Sequence, residues 1–312
     1  MQVFYVNIGG GEPLIRPDFE ELVHYATGRG VGVKFSTNGV FIDEAAARRY
    51  AAMDYLDIQI SLDGADAATN DPIRGTGSFS AALSAMDRLA DANFGEFKIS
   101  VVVNRHNVTQ LDEFQTLADR YGAQLRLTRL RPAGRGAEVW HQLHLHHEQQ
   151  RDLYHWLLDH PFVLTGDSFF HLNAFGDQNL DGLNLCGAGR VVCLIDPLGD
   201  VYACPFVLHD EFKAGNVTEP GGFARVWGES ELFTSLREPT SPGACASCGQ
   251  FDDCAGGCMA AKFFTGLPLD GPDPECAHGY ATGSLESVEP HQLPTPTSDH
   301  SRPVAVALTR KP

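Results

Sequence analysis

All eight cysteines of this chain fall between residues 186 and 276, and none occurs ahead of Cys186. Such crowding marks one module, because thiols that serve a shared ligand must become neighbours in the fold. The spacing is Cys186-x6-Cys193-x10-Cys204, a gap, Cys245-x2-Cys248-x5-Cys254-x3-Cys258, and then Cys276 after 17 residues. Eight thiols divide into two sets of four, the donor count of two tetrathiolate sites. A CxxC step lets two thiolates reach one metal from a single turn, and Gly256–Gly257 allow a tight loop beside Cys258. Disulfides, structural zinc and iron–sulfur clusters all suit this spacing. The N-terminal MQVFYVNIGGGEP has no basic run and no cleavage-site pattern, which argues against export and so against disulfides. Zinc and iron–sulfur both use thiolates, and spacing leaves those two open.

The first 130 residues follow a different rule. Short β-branched and aromatic runs (Val3–Ile8, Val31–Phe35, Leu56–Ile60, Phe97–Val103, Gln124–Leu130) predict strands. Helical periodicity lies between them, as in Phe79, Leu83, Met86, Leu89 and in Leu111, Phe114, Leu117, Tyr121. Asp43 and Ser78 stand where N-caps are expected. Alternating βα units imply a parallel sheet or barrel, because parallel strands need crossover helices. Residues 137–160 read as one His-rich helix and 161–185 as irregular chain. After about Val288 the composition turns to Pro, Ser, Thr and His, too apolar-poor to order itself. The organisation expected is therefore a βα half over 1–136, a helical connection over 137–185, a cysteine module over 186–280 and a flexible tail over 281–312.

With 23 Lys+Arg against 40 Asp+Glu the formal charge is −17, which disfavours nucleic acid and anionic membrane surfaces as partners. No apolar run approaches the roughly 18 residues that span a bilayer. A cytoplasmic protein is expected.

Five unusual strings each follow a strand: GGGEP (Gly9–Pro13), STNG (Ser36–Gly39), SLDG (Ser61–Gly64), VNRHN (Val103–Asn107) and RLRPAGRG (Arg129–Gly136). Ligands of parallel α/β folds bind at the carboxyl ends of strands, so one shared pocket on that rim is expected. In GGGEP, glycines open the backbone to a ligand and Glu12 adds a fixed negative charge, a combination suited to an ammonium group. Neither a dinucleotide fingerprint nor a phosphate loop is present. Arg129, Arg131 and Arg135 suit either a carboxylate clamp or a solvated loop. His141, His144, His146 and His147 suit either a metal or, more simply, a solvated helix start.

Together GGGEP, STNG, SLDG with its downstream DPIRGTGSF, and VNRHN resemble the S-adenosylmethionine pocket of radical SAM enzymes. The pattern Cys-x12-Gly-x4-Cys, CxxCx5CxxxC, Cys resembles the SPASM domain of peptide-modifying members. The string GACASCGQFDDCAGGCMAAKFFTGLPLDGPDPEC is most similar to the mycofactocin maturases. The resemblance implies an α/β fold, a partial (β/α)6 barrel followed by a cysteine-rich SPASM domain. It implies that Gly10, Gly11 and Glu12 hold the amino group of S-adenosylmethionine, that Ser61 and Arg74 contact its ribose or carboxylate, and that Asn104 lies near the adenine. It implies two auxiliary [4Fe–4S] clusters, one on Cys186, Cys193, Cys204 and Cys258, the other on Cys245, Cys248, Cys254 and Cys276, with Cys193 the least secure ligand. The implied reaction is oxidative decarboxylation of the C-terminal tyrosine of a small precursor peptide and cross-linking to the preceding valine. A small peptide-presenting chaperone and an electron donor are the implied partners.

One departure bears on activity. The family's catalytic cluster sits on CxxxCxxC after the first barrel strand, whereas this chain starts on the GGGEP strand and has no cysteine before Cys186. The barrel is expected to lack its first βα unit. Without that cluster no iron holds the amino-acid end of S-adenosylmethionine, and the chain as written is expected to be inert. Two other readings remain in play: a non-catalytic iron–sulfur or peptide-binding remnant, and a zinc-ribbon interaction protein.

Overall fold

A computed structural model describes residues 3–95, 97–165, 168–176, 178–183, 186–237 and 243–279. The tail expected over 281–312 lies outside the described residues. The chain divides into two compact units, one of Met1–Leu130 with Gln142–Phe169, the other of Arg131–His141 with everything from Phe170 onward.

In the first unit, strands and helices alternate as β1 (Tyr5–Ile8), α1 (Phe19–Thr27), β2 (Gly32–Thr37), α2 (Glu44–Ala51), β3 (Leu56–Leu62), α3 (Ala67–Arg74), α4 (Ser78–Asp91), β4 (Lys98–Val103), α5 (Leu111–Tyr121) and β5 (Gln124–Arg129). α6 (Arg135–Leu143) lies mostly in the Arg131–His141 stretch of the second unit, and the first resumes with α7 (His147–Asp159) and β6 (Leu164–Thr165). The six strands lie side by side in chain order, each neighbouring pair parallel. This is a parallel βα half-barrel. Period-two alternation sorts the sheet into two faces. Val33, Phe35, Ile58, Ile60, Leu62, Ile99, Val101, Leu125 and Leu127 are buried on one face. The helices cover it, Phe35 meeting Phe19 of α1 edge-on at 4.9 Å. Lys34, Asp57, Gln59, Ser61, Lys98, Ser100 and Arg126 line the other face by the same alternation. The helix-free face is therefore polar.

Several expectations change at their edges. β6 falls in the stretch read as irregular. At two residues it is too short to show a period, and only its pairing with Arg126 and Leu127 identifies it. The single helix expected over 137–160 is two, α6 and α7, broken where exposed His146 caps the second. Asp43 caps α2 as expected, accepting from the Ala46 N–H at 2.7 Å. Ser78 does not cap α4. Gly77, at φ 83°, takes that place, and the Asp71 carboxylate accepts from Gly77 N–H (2.7 Å), Phe79 N–H (2.9 Å) and the Ser78 hydroxyl (3.1 Å). A carboxylate seven residues upstream does the capping, which no local pattern reveals.

The second unit holds a three-stranded antiparallel sheet, β7 (Leu194–Ile195), β8 (Asp200–Tyr202) and β9 (Lys213–Asn216). Four helices follow: α8 (Gly222–Glu229), α9 (Glu231–Arg237), α10 (Phe251–Cys254) and α11 (Met259–Phe264). Val201, Tyr202, Phe212, Val226 and Phe233 form its core. Among the described residues no helix is long and apolar enough to cross a membrane.

Candidate functional site

The rim strings of the first unit are tied together in pairs. Glu12 joins the loops after β1 and β2. Its Oε1 accepts from the Leu14 N–H (3.2 Å) and the Thr37 hydroxyl (2.8 Å), and its Oε2 accepts from the Asn38 N–H (2.8 Å). A carboxylate offers about four acceptor positions, so one remains for a ligand ammonium. Gly10 has φ 132°, and a Cβ on Gly10 or Gly11 would meet nothing within 4 Å. The glycine backbone borders open space, as a ligand cradle requires.

Asp63 joins the loops after β3 and β4. One oxygen pairs with Arg74 Nε at 2.7 Å and the other accepts from the Val102 N–H at 2.9 Å. Its carbonyl accepts from the Asn107 amide at 3.1 Å, and its N–H donates to the Asn70 side chain at 2.8 Å. Arg74 is therefore anchored at the end of β3, on the same rim as Ser61. Asn104 is buried, and its side-chain oxygen accepts from the His106 (2.9 Å) and Asn107 (3.3 Å) N–H groups. That side chain shapes its own turn. Asp63 and Asn107 lie in the SLDG and VNRHN strings, whereas Asn70 lies in none of them.

Of the three arginines, Arg129 ends β5 and Arg135 is exposed at the start of α6. Arg129 is buried and donates to the Ser168 carbonyl at 3.0 Å, and Arg131 lies 3.5 Å over the Phe206 ring.

In the second unit the cysteines gather as two sets. Cys245, Cys248, Cys254 and Cys276 line one pocket, walled also by Ala174, Phe251 and Pro272. Burial pushes the Cys254 thiol up to about 11, and Cys276, Cys248 and Cys245 add to the rise. Burial pushes Cys204 up to about 12, with Cys258 and Cys186 as its charged neighbours. Cys193 stands apart: burial alone raises it, to about 11, and no other cysteine acts on it.

Loop geometry explains how the sets form. Gly199, at φ 83°, turns the β7–β8 hairpin that presents Cys204. Ala255, Gly256 and Gly257, at φ 48°, 74° and 80°, reverse the chain between Cys254 of one set and Cys258 of the other. A Cβ on Gly257 would lie 2.3 Å from Asp273, whose carboxylate accepts from the Cys258 N–H at 2.7 Å. Among the described residues no three His, Cys, Asp or Glu side chains converge as ligands of a single metal ion. Four thiolates on one zinc would stand only about 3.8 Å apart. Four thiols around one pocket give the donor count of a tetrathiolate centre. A thiol pushed up by burial must lose its proton on binding iron, so loading releases protons.

Comparison with known proteins agrees with both halves. The Radical SAM superfamily profile matches residues 1–118 and the iron–sulfur cluster-binding SPASM profile residues 186–249. The chain is 64% identical over 319 residues to the mycofactocin maturase MftC of Mycolicibacterium smegmatis, spanning 100% of this chain and 81% of that one. Its fold is similar to SuiB of Streptococcus suis bound to the precursor peptide SuiA (TM-score 0.69, 18% identity, 87% and 65% of the two chains). It is also similar to anSMEcpe with bound AdoMet and a Cp18Cys peptide (TM-score 0.63, 16% identity, 91% and 82%). The protein carries a radical SAM domain and a SPASM iron–sulfur domain. By its identity with these maturases over its whole length, the chain belongs to the mycofactocin maturase family of radical SAM proteins.

Proposed function

We propose that this chain is the peptide- and cluster-binding body of a radical S-adenosylmethionine maturase. Its substrate is a small ribosomal precursor peptide that ends in Val-Tyr. The observation that carries the reading is the 64% identity with a mycofactocin maturase, joined to four cysteines around one cavity. SuiB and anSMEcpe, which share the fold, are both known with peptides bound. The partial barrel runs from β1 through β6, and residues 186–280 form the auxiliary-cluster domain.

In this reading Gly10, Gly11 and Glu12 receive the amino group of S-adenosylmethionine, while Ser61 and Arg74 face its ribose or carboxylate. The Asn104 turn borders its adenine. Cys245, Cys248, Cys254 and Cys276 hold one [4Fe–4S] cluster. Cys186, Cys204 and Cys258 hold the other, with Cys193 in the fourth place or that place open. When bound, S-adenosylmethionine and a reduced cluster supply a carbon radical able to abstract hydrogen from the tyrosine side chain. Loss of carbon dioxide to an alkene is an oxidation, and the auxiliary clusters are the electron acceptors within reach of this chain. Thiols poised for clusters suit the reducing cytoplasm. A peptide-presenting chaperone and an external electron donor complete the system.

The 312 residues hold cysteines for the auxiliary clusters alone. Anaerobically reconstituted protein is expected to bind a fluorescent peptide ending in Val-Tyr, and to bind one lacking those two residues far more weakly. With dithionite and S-adenosylmethionine it is expected to release no 5′-deoxyadenosine. Equal binding of both peptides overturns the substrate assignment, and release of the nucleoside overturns the need for a further cluster.

Two substitutions follow from the geometry. Glu12→Gln removes a charge from the rim and weakens S-adenosylmethionine binding by tenfold or more, since a hydrogen bond to a charged group contributes about 1.5–3 kcal/mol. Equilibrium dialysis reads it, and unchanged affinity sinks the assignment. Cys193→Ala, in contrast, leaves the iron content of the reconstituted protein at the parent level, because burial alone, and no neighbouring thiol, acts on Cys193. Loss of about four irons would show instead that Cys193 is an indispensable ligand.

A further inference from the structure

Lys262 is buried, 4% exposed, and lies one turn past Cys258 on α11. A Lys at that burial needs an electrostatic reason. Its ammonium donates to the Leu269 carbonyl at 2.6 Å and the Gly271 carbonyl at 3.2 Å. A Cβ on Gly256 would stand 3.5 Å from its Nζ, so the ammonium rests against the loop that carries Cys254 into one thiol set and Cys258 into the other. Burial pulls the Lys262 ammonium down from its usual value, and Asp273, then Cys245 of the first set and Cys258 and Cys186 of the second, act to hold its charge. Two carbonyl hydrogen bonds hold the cation in place without cancelling its charge.

We propose that Lys262 is a positioning charge shared by the two auxiliary clusters, set between them to raise the reduction potential of both. This rests on the two-cluster reading above. A cluster becomes more negative by one unit on reduction, and its potential follows the charges and hydrogen bonds around it. A buried cation at low local dielectric therefore favours the reduced form, and one cation between two clusters favours it in each. An acceptor for electrons released on decarboxylation needs that bias. The same cation offsets the repulsion between two neighbouring anionic clusters.

The alternative is a purely mechanical role, the clamp on Leu269 and Gly271 that closes the loop leading to Cys276. Charge and clamp separate by substitution. Lys262→Gln keeps amide donors and removes the charge, whereas Lys262→Arg keeps the charge and alters the fit. Midpoint potentials are read by anaerobic redox titration with electron paramagnetic resonance, and iron and sulfide are counted on the same samples. In the Gln variant iron content is expected to hold while both midpoints fall. The fall corresponds to a tenfold or greater drop in the reduced-to-oxidised ratio at fixed potential, 59 mV for one electron. The Arg variant is expected to keep the parent midpoints. Asp273→Asn, which removes the opposing charge, is expected to move both upward. Unchanged midpoints in a fully loaded Gln variant overturn the proposal, as does a shift confined to one cluster or an Arg variant that behaves like Gln. Should Gln fail to load, the sign of the Asp273→Asn shift decides. A parent protein without two clusters would instead remove the reading on which the proposal stands, and the iron count separates that failure from the others.

Discussion

Cys254→Ala is expected to bring the iron content of the reconstituted protein from about eight atoms per chain to about four, with a matching fall in sulfide. Cys254 ends α10 and lines the same cavity as Cys245, Cys248 and Cys276. Alanine leaves that cavity with three thiols, one short of a tetrathiolate site. The second set is carried by β8, α11 and the chain around Cys186, and it keeps its own irons. The fold should survive, because a half-buried thiol contributes little packing of its own. Absorbance near 400 nm is then about halved while the circular dichroism of the iron-free protein is unchanged. A variant that retains about eight irons would show that Cys254 is not a ligand. One that loses all of them would show that the two sets assemble as a unit.

Asp63→Ala carries the largest expected loss of stability, about 3 kcal/mol. Asp63 is 6% exposed, its carboxylate pairs with Arg74 at 2.7 Å, and it accepts from the Val102 N–H that begins the end of β4. Breaking a buried pair from one side costs about 3–5 kcal/mol because the partner charge is left unpaired. The Arg74 side chain is 25% exposed, so water recovers part of that and the lower end applies. Asp63→Asn keeps the acceptor for Val102 and loses the charge, and about half the effect is expected. Urea titration of the iron-free protein reads both. The same change frees the Arg74 side chain, so S-adenosylmethionine affinity falls in step with stability. A loss of stability below 1 kcal/mol in the Ala variant would mean that the Asp63 network does not hold the rim.

Much of the architecture was legible without coordinates, for reasons that lie in local periodicity. The strands at Leu56, Phe97 and Gln124 and the α4 and α5 helices stood out because their apolar positions repeat at two or 3.6 residues over enough length to exclude chance. α4 still buries Ala82, Ala85, Met86 and Leu89 rather than the Phe79–Leu83 line, since small residues let the helix approach the sheet closely. β6 and the capping of α4 by Asp71 were illegible. One is too short to carry a period, and the other joins residues by a turn whose geometry no pattern encodes.

Sequence alone was enough for the alternation of strand and helix, for the rim strings and for the count of eight thiols, because each depends on residues near one another in the chain. Membership of the thiol sets is another matter. Cys204 and Cys258 are neighbours across 54 residues, while no other cysteine acts on Cys193. Lys262 gives no sign in MAAKFF that it is a buried cation, for an exposed lysine on a helix reads the same. These facts depend on chain closure over long separations, which no local pattern encodes. Only the folded chain contains them.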